Sequence, residues 1–144
     1  MILFLDFDGV LHPHPNDSHA FSCVERLWEL LRRHDEISVV FSTGWRFEHD
    51  LDELRELVSA GGGEDLAARF IDATPLLRHA DEAGSREKDC RAWLDERGHK
   101  GPWLALDDMP GLFLPKSANL YPVNAKRGLM PYDVERISAR IITR

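Results

Sequence analysis

Five short apolar runs recur along this chain, with helix-spaced segments between them, and this alternation limits the fold more than any other feature. The runs fall at 2–5, 37–41, 70–73, 103–106 and, more weakly, 120–123. In the first gap Phe21, Val24, Leu27, Leu30 and Leu31 follow helical spacing, and Leu51, Leu54, Leu57 and Val58 do so in the second. Cys90, Trp93 and Leu94 mark a third helix, and Val134, Ile137 and Ile141 a last one. Strands that alternate with helices pair in parallel through crossovers, so the expected product is an α/β fold, a three-layer α/β/α sandwich around a Rossmann-like parallel five-stranded sheet.

The punctuation agrees. Ser85 is placed to cap the third helix, Gly98 and Gly101 bracket its exit, and Pro131 suits the first turn of the last helix. Gly61-Gly62-Gly63 is the strongest break, but only one more helix-sized piece precedes the next strand, so it reads as a loop. The 144 residues therefore form one domain, 1–144, long enough to bury roughly two thirds of the surface of the unfolded chain.

Composition excludes several classes. With 43% hydrophobic and 30% charged residues the chain is neither disordered nor membranous, and no apolar run approaches the roughly 20 residues of a spanning helix. Asp6 arrives too early for a signal peptide, so a cytoplasmic location is expected. Cys23 and Cys90 are too few for a disulfide framework and read as small buried hydrophobes. A net charge of −7 argues against a broad nucleic-acid surface, although a local basic groove stays open. Arg26, Arg32 and Arg33 alternate with acids and read as a solvated helix face.

The first run, Ile-Leu-Phe-Leu, ends in Asp6-Phe7-Asp8-Gly9. In an open parallel sheet, ligands gather at the carboxyl ends of the strands. Two carboxylates that close repel unless a cation lies between them, and Mg²⁺ prefers such oxygen ligands while keeping positions open for water and phosphate. The plainer alternative is a surface turn. Two further clusters decide between them: the second strand runs into Ser42-Thr43-Gly44-Trp45-Arg46, with hydroxyls and amides for an anion, and the fourth runs into Asp107-Asp108. On a parallel sheet all three share one edge, as a magnesium-dependent phosphoryl-transfer site requires.

In this order the residues resemble the haloacid dehalogenase superfamily of phosphohydrolases. Asp6-Phe7-Asp8-Gly9-Val10 is similar to its first motif, Ser42-Thr43-Gly44 to its second and Asp107-Asp108 to its fourth. Ser-Thr-Gly-Trp-Arg, Thr74-Pro75, an Arg before a Trp-Leu helix and Leu-Asp-Asp further resemble small stand-alone proteins with the domain found in multifunctional RNA-repair polypeptides. The resemblance implies that Asp6 is the nucleophile, giving an aspartyl phosphate, and that Asp8 is the general acid, with its main-chain carbonyl on the metal. By the same resemblance Asp107 and Asp108 would complete the magnesium shell, one directly and one through water. It implies a phosphate-binding hydroxyl from Thr43 or Ser42, with Thr43 preferred because it directly precedes Gly44. Trp45 and Arg46 can reach substrate, although core packing is the favoured role for the tryptophan.

The third motif needs a cation near a helix start, and Arg86 and Lys88 are the candidates. Arg86 shares a helix face with Cys90 and Trp93, whereas Lys88 is turned about 160° from Cys90, so Arg86 is preferred. The remaining alternative leaves both as solvated helix charges. His12 and His14 lack further ligands at a metal-binding spacing and read as structural or solvated, in a mobile flap that brings a histidine towards substrate.

Neither gap where relatives insert a cap is large enough for one, so the resemblance implies a capless phosphatase. An open site suits a phosphorylated macromolecule or polynucleotide end as substrate, or else closure by a second subunit of an oligomer. No membrane partner is expected. The competing reading is a non-catalytic phosphate- or nucleic-acid-end-binding module in a repair or phage-related system.

Overall fold

Side chains of a strand alternate between faces, and every residue of β1 (Ile2–Leu5) is buried, which explains its unbroken apolar run. The computed structural model describes residues 1–15, 19–75 and 82–143. β1 pairs in parallel with β2 (Ser38–Phe41) on one side and β4 (Trp103–Asp107) on the other. β3 (Phe70–Ala73) and β5 (Leu120–Pro122) flank these, giving a parallel sheet in the order β3-β2-β1-β4-β5.

The two faces bury different helices. Leu3, Leu5, Val39, Phe41, Leu104 and Leu106 form one core with α1 (Val24–Arg33), α2 (Leu51–Ser59) and α4 (Pro131–Ile142). Ile2, Phe4, Val40, Trp103 and Ala105 face the other way, against Cys90, Trp93 and Leu94 of α3 (Ser85–Arg97). The result is the expected three-layer α/β/α arrangement, with α3 on the opposite face from the other three helices. Phe4 packs edge-on against both Trp93 and Trp103, at 5.9 and 5.6 Å between ring centres.

Local chemistry sets the boundaries. Asp50 and Glu53 form a reciprocal capping box on α2, each side chain accepting the other's N–H at 2.9 Å. Pro131 opens α4, and Gly98 (φ +64) ends α3 in a left-handed cap. The start of α3 differs from expectation: the cap position is Gly84 (φ +76), and Ser85 is the first helical residue. The glycine loop is packed against the indole of Trp28, whose Nε1 donates to the Val58 carbonyl at 2.8 Å, and a Cβ on Gly63 would lie 2.3 Å from that nitrogen.

Short connections leave no room for an inserted cap among the described residues. Residues 16–18 of the expected flap lie outside them. The root of that flap is anchored rather than free, because Leu129 N donates to Val10 O, Cys23 N to Leu11 O and His14 N to Ala125 O, each at 2.8 Å. No described helix is long and apolar enough to cross a membrane.

Candidate active site at the carboxyl edge of the sheet

Because all five strands are parallel, the loops after β1, β2 and β4 leave from one edge, and the strand order reverses between β1 and β4. Asp6 N donates to Leu106 O at 3.2 Å, which extends the β1–β4 pairing by one residue. The pleat then puts Asp6 on the face of Ile2 and Phe4, and Asp107 on the face of Trp103 and Ala105. That is the face covered by α3, and Arg86 in its first turn meets both acids. Arg86 Nη1 lies 2.9 Å from Asp107 Oδ2 and 3.2 Å from Asp6 Oδ2.

Asp108 is the third member. One carboxylate oxygen from each of Asp6, Asp107 and Asp108 lies within 4.8 Å of the others, a spacing that can hold one metal ion. Gly9 makes this approach possible: its φ is +77, and a Cβ there would stand 2.4 Å from Asp108 Oδ2. The second oxygen of Asp107 accepts the Met109 N–H at 2.9 Å.

Three acids against one arginine leave excess negative charge. Burial, followed by repulsion from Asp107, pushes the Asp6 carboxyl well above the usual carboxylate range, with Arg86 pulling the other way. Burial also raises Asp107, again opposed by Arg86. For Arg86 burial works against the charge, but Asp6 and Asp107 outweigh it and raise its pKa. A divalent cation among the three carboxylates relieves this imbalance, and hard oxygen donors are the set that Mg²⁺ prefers. The chain's residues therefore fit such an ion.

Asp8 lies apart from this cluster. Its side chain, 42% exposed, is held by His12 and by the indole N–H of Trp45. The sequence gives Trp45 core packing and His12 a structural or solvated role, and neither suggests a contact with Asp8. Trp45 does pack against the core, though partly exposed, and the His12 ring is wholly buried, yet both reach Asp8. The pair lies 4 and 37 residues from Asp8, so only the first was within reach of a local pattern.

At the end of β2 the pleat turns Ser42 to the Asp6 side, the same face as Val40. Its Oγ is buried with no hydrogen-bond partner among the described residues, and so is Thr74 Oγ1 after β3. Thr43, favoured by its position before Gly44, instead accepts the Trp45 N–H at 3.2 Å and caps the 3-10 turn Gly44–Phe47. Gly44 itself opens that turn. Lys88 is not in the cluster. It is exposed, 3.9 Å from Glu82, because two residues of helix separate its direction from that of Arg86.

Arg46 is turned into the protein. It is buried, donates to Ser42 O and Thr43 O at 2.9 and 2.7 Å, and pairs with Asp89 of α3 at 2.8 Å. Burial lowers its pKa, with Asp89 opposing. The guanidinium ties the β2 loop to the helix that carries Arg86. The sequence suggested reach towards substrate for Arg46, and its partner Asp89, 43 residues away, leaves no local pattern for this tie.

A cavity of about 800 Å³ is lined by residues that include Phe21, His49, Glu53 and Leu57, and by none of these acids. It lies apart from the carboxylate edge of the sheet.

No curated protein and no solved structure matches the chain. A family model described as the HAD domain in Swiss Army Knife RNA repair proteins matches residues 2–134, and the chain belongs to that family, whose members are generally phosphohydrolases.

Proposed function

We propose that the protein is a Mg²⁺-dependent phosphomonoesterase that works through an aspartyl phosphate on Asp6. The observation that carries this reading is the cluster of buried Asp6 and Asp107 with half-buried Asp108, and Arg86 against the first two, at the edge where a parallel sheet presents ligands. When bound, Mg²⁺ would be held by those three carboxylates and the Asp8 main-chain carbonyl, and would offset their charge and that of the phosphoryl oxygens.

The protein's own groups divide the work. Asp6, fixed at the end of the central strand, attacks phosphorus in line with the leaving oxygen, and confinement supplies much of the rate advantage. Arg86 reaches the same space and offers N–H donors to the phosphoryl oxygens. Of the two hydroxyls, Ser42 has the stronger claim, since its Oγ is buried, has no partner among the described residues and lies on the Asp6 side, whereas the pleat turns Thr43 to the other face. Asp8, half exposed and two residues past Asp6, gives a proton to the departing alcohol and then takes one from the attacking water.

The substrate is a phosphorylated macromolecule or polynucleotide end. In favour are the absence of a cap among the described elements and membership in a domain family of RNA-repair proteins. Both cysteines are free thiols, in keeping with a cytoplasmic enzyme.

Hydrolysis of an aryl phosphate by the purified protein tests this reading. Turnover is expected with Mg²⁺, and is expected to vanish on chelation and in Asp6→Asn. A well-folded protein that binds phosphate ends without hydrolysing them would favour a binding module instead.

A further inference from the structure

The support around Asp8 is more elaborate than a half-exposed carboxylate needs for stability alone. Its Oδ1 lies 2.8 Å from His12 Nε2, and Trp45 Nε1 donates to both carboxylate oxygens, at 3.3 and 3.2 Å. The His12 proton can be placed. Phe21 N–H donates to His12 Nδ1 at 3.2 Å, so that nitrogen is an acceptor and the ring proton sits on Nε2, which donates to Asp8.

Both donors are locked in turn. Trp45 packs edge-on against Phe7 and Phe21, at 5.4 and 5.3 Å between ring centres, and the fully buried His12 packs edge-on against Phe21 at 5.6 Å. Phe21 itself has φ +62, a conformation that a bulky residue rarely adopts and that surrounding structure must enforce. Its backbone N–H is the group that fixes the His12 ring.

We propose that His12 and Trp45 are positioning residues, which fix the Asp8 carboxyl for proton transfer to the leaving oxygen and so determine how well the site cleaves unactivated phosphate esters. The inference rests on the phosphatase reading above. A general acid works only within hydrogen-bond reach of the oxygen it protonates, and an untethered aspartate on the surface samples several rotamers. Two N–H groups on immobile rings select one.

The proton balance is simple. As the ester P–O bond breaks, its electron pair stays on the alcohol oxygen, which takes the Asp8 proton. His12 and Trp45 then donate to the carboxylate left behind. In the second half, water attacks the phosphoryl group, the bond from phosphorus to Asp6 breaks, and Asp8 accepts the water proton. An aryl ester whose phenolate departs unprotonated needs no acid in the first half, whereas an alkyl ester does.

Trp45→Phe removes the N–H and keeps an aromatic ring, His12→Leu removes the other donor, and His12→Gln restores an N–H at similar reach. The quantity to compare is kcat/KM, which runs through departure of the leaving group, for p-nitrophenyl phosphate and for an alkyl phosphate. Loss of one charge-assisted hydrogen bond corresponds to about tenfold or more in rate. That loss is expected on the alkyl ester for Trp45→Phe and His12→Leu, with little change on the aryl ester and partial recovery in His12→Gln. Equal losses on both esters, or none on either, overturn the proposal.

A second measurement needs no turnover. In ¹H–¹⁵N spectra, Asp8→Ala is expected to move the Trp45 indole resonance, while that of Trp28, bonded to Val58 O at 2.8 Å, stays in place. A Trp45 indole that does not respond overturns the proposal. A wild-type protein that hydrolyses neither ester counts against the phosphatase reading, and the spectrum then decides the contacts by itself.

Discussion

Replacing Arg86 by alanine removes the cation that touches two of three clustered acids, and the cost can be worked from their burial. Breaking a buried ion pair by deleting one partner costs about 3–5 kcal/mol. Arg86 keeps 16% of its side-chain surface exposed, whereas Asp6 and Asp107 keep 5% and none. The lower end, about 3 kcal/mol, is therefore expected, which at roughly 2–4 °C per kcal/mol lowers Tm by roughly 6–12 °C. The assay is thermal unfolding in chelator, with Lys88→Ala as comparison, since Lys88 is exposed and lies 3.9 Å from Glu82.

The pH dependence has a definite sign. Without Arg86, burial and mutual repulsion raise the folded-state pKa values of Asp6 and Asp107 further above the reference of 3.8. A carboxyl whose folded pKa is raised holds its proton more tightly folded than unfolded, so stability falls as pH rises above that reference. The gap between Arg86→Ala and wild type should thus be small near pH 4 and widen towards neutrality. In turnover, losing a charge-assisted contact to phosphate corresponds to about 1.5–3 kcal/mol, or roughly ten- to more than hundredfold. A silent Arg86→Ala beside a damaging Lys88→Ala would refute the reasoning.

Two other substitutions separate scaffold from site. Gly9→Ala places a Cβ 2.4 Å from Asp108 Oδ2 at φ +77, so it should weaken Mn²⁺ or Mg²⁺ binding in a titration, while the left-handed backbone itself costs only about 1–2 kcal/mol of stability. Arg46→Met should instead lower stability by about 3–5 kcal/mol in a denaturant melt, through its pairing with Asp89, and leave KM of the folded fraction nearly unchanged.

What was legible in the chain followed burial. Strands 2–5 and 70–73 have the expected bounds, and β4 runs one residue further than expected because Asp107 still pairs with Pro122 of β5. The third helix was faint. Its buried side includes Glu87 and Asp89 as well as Cys90 and Trp93, and their partners, Leu114 N and Arg46, come from distant segments. The acids at the strand ends stood out because charge after an apolar run is conspicuous. Which neighbouring hydroxyl faces them was not, since Ser42 and Thr43 differ only in which side of the pleat they occupy. Arg86 was preferred over Lys88 from helical spacing, and its position against Asp6 and Asp107 agrees. Of the two supports of Asp8, only His12, four residues on, lies within reach of a local pattern; the Trp45 ring, 37 residues away, leaves none.

The most direct test of the account is to quench the wild-type protein with acid during turnover, reduce it with borohydride and map the modified peptide. An aspartyl phosphate on Asp6 should be reduced to homoserine at that position alone, and the product should be missing from Asp6→Asn. Turnover without a trapped phosphoryl group, or one trapped elsewhere while Asp6→Asn stays active, would contradict the covalent mechanism.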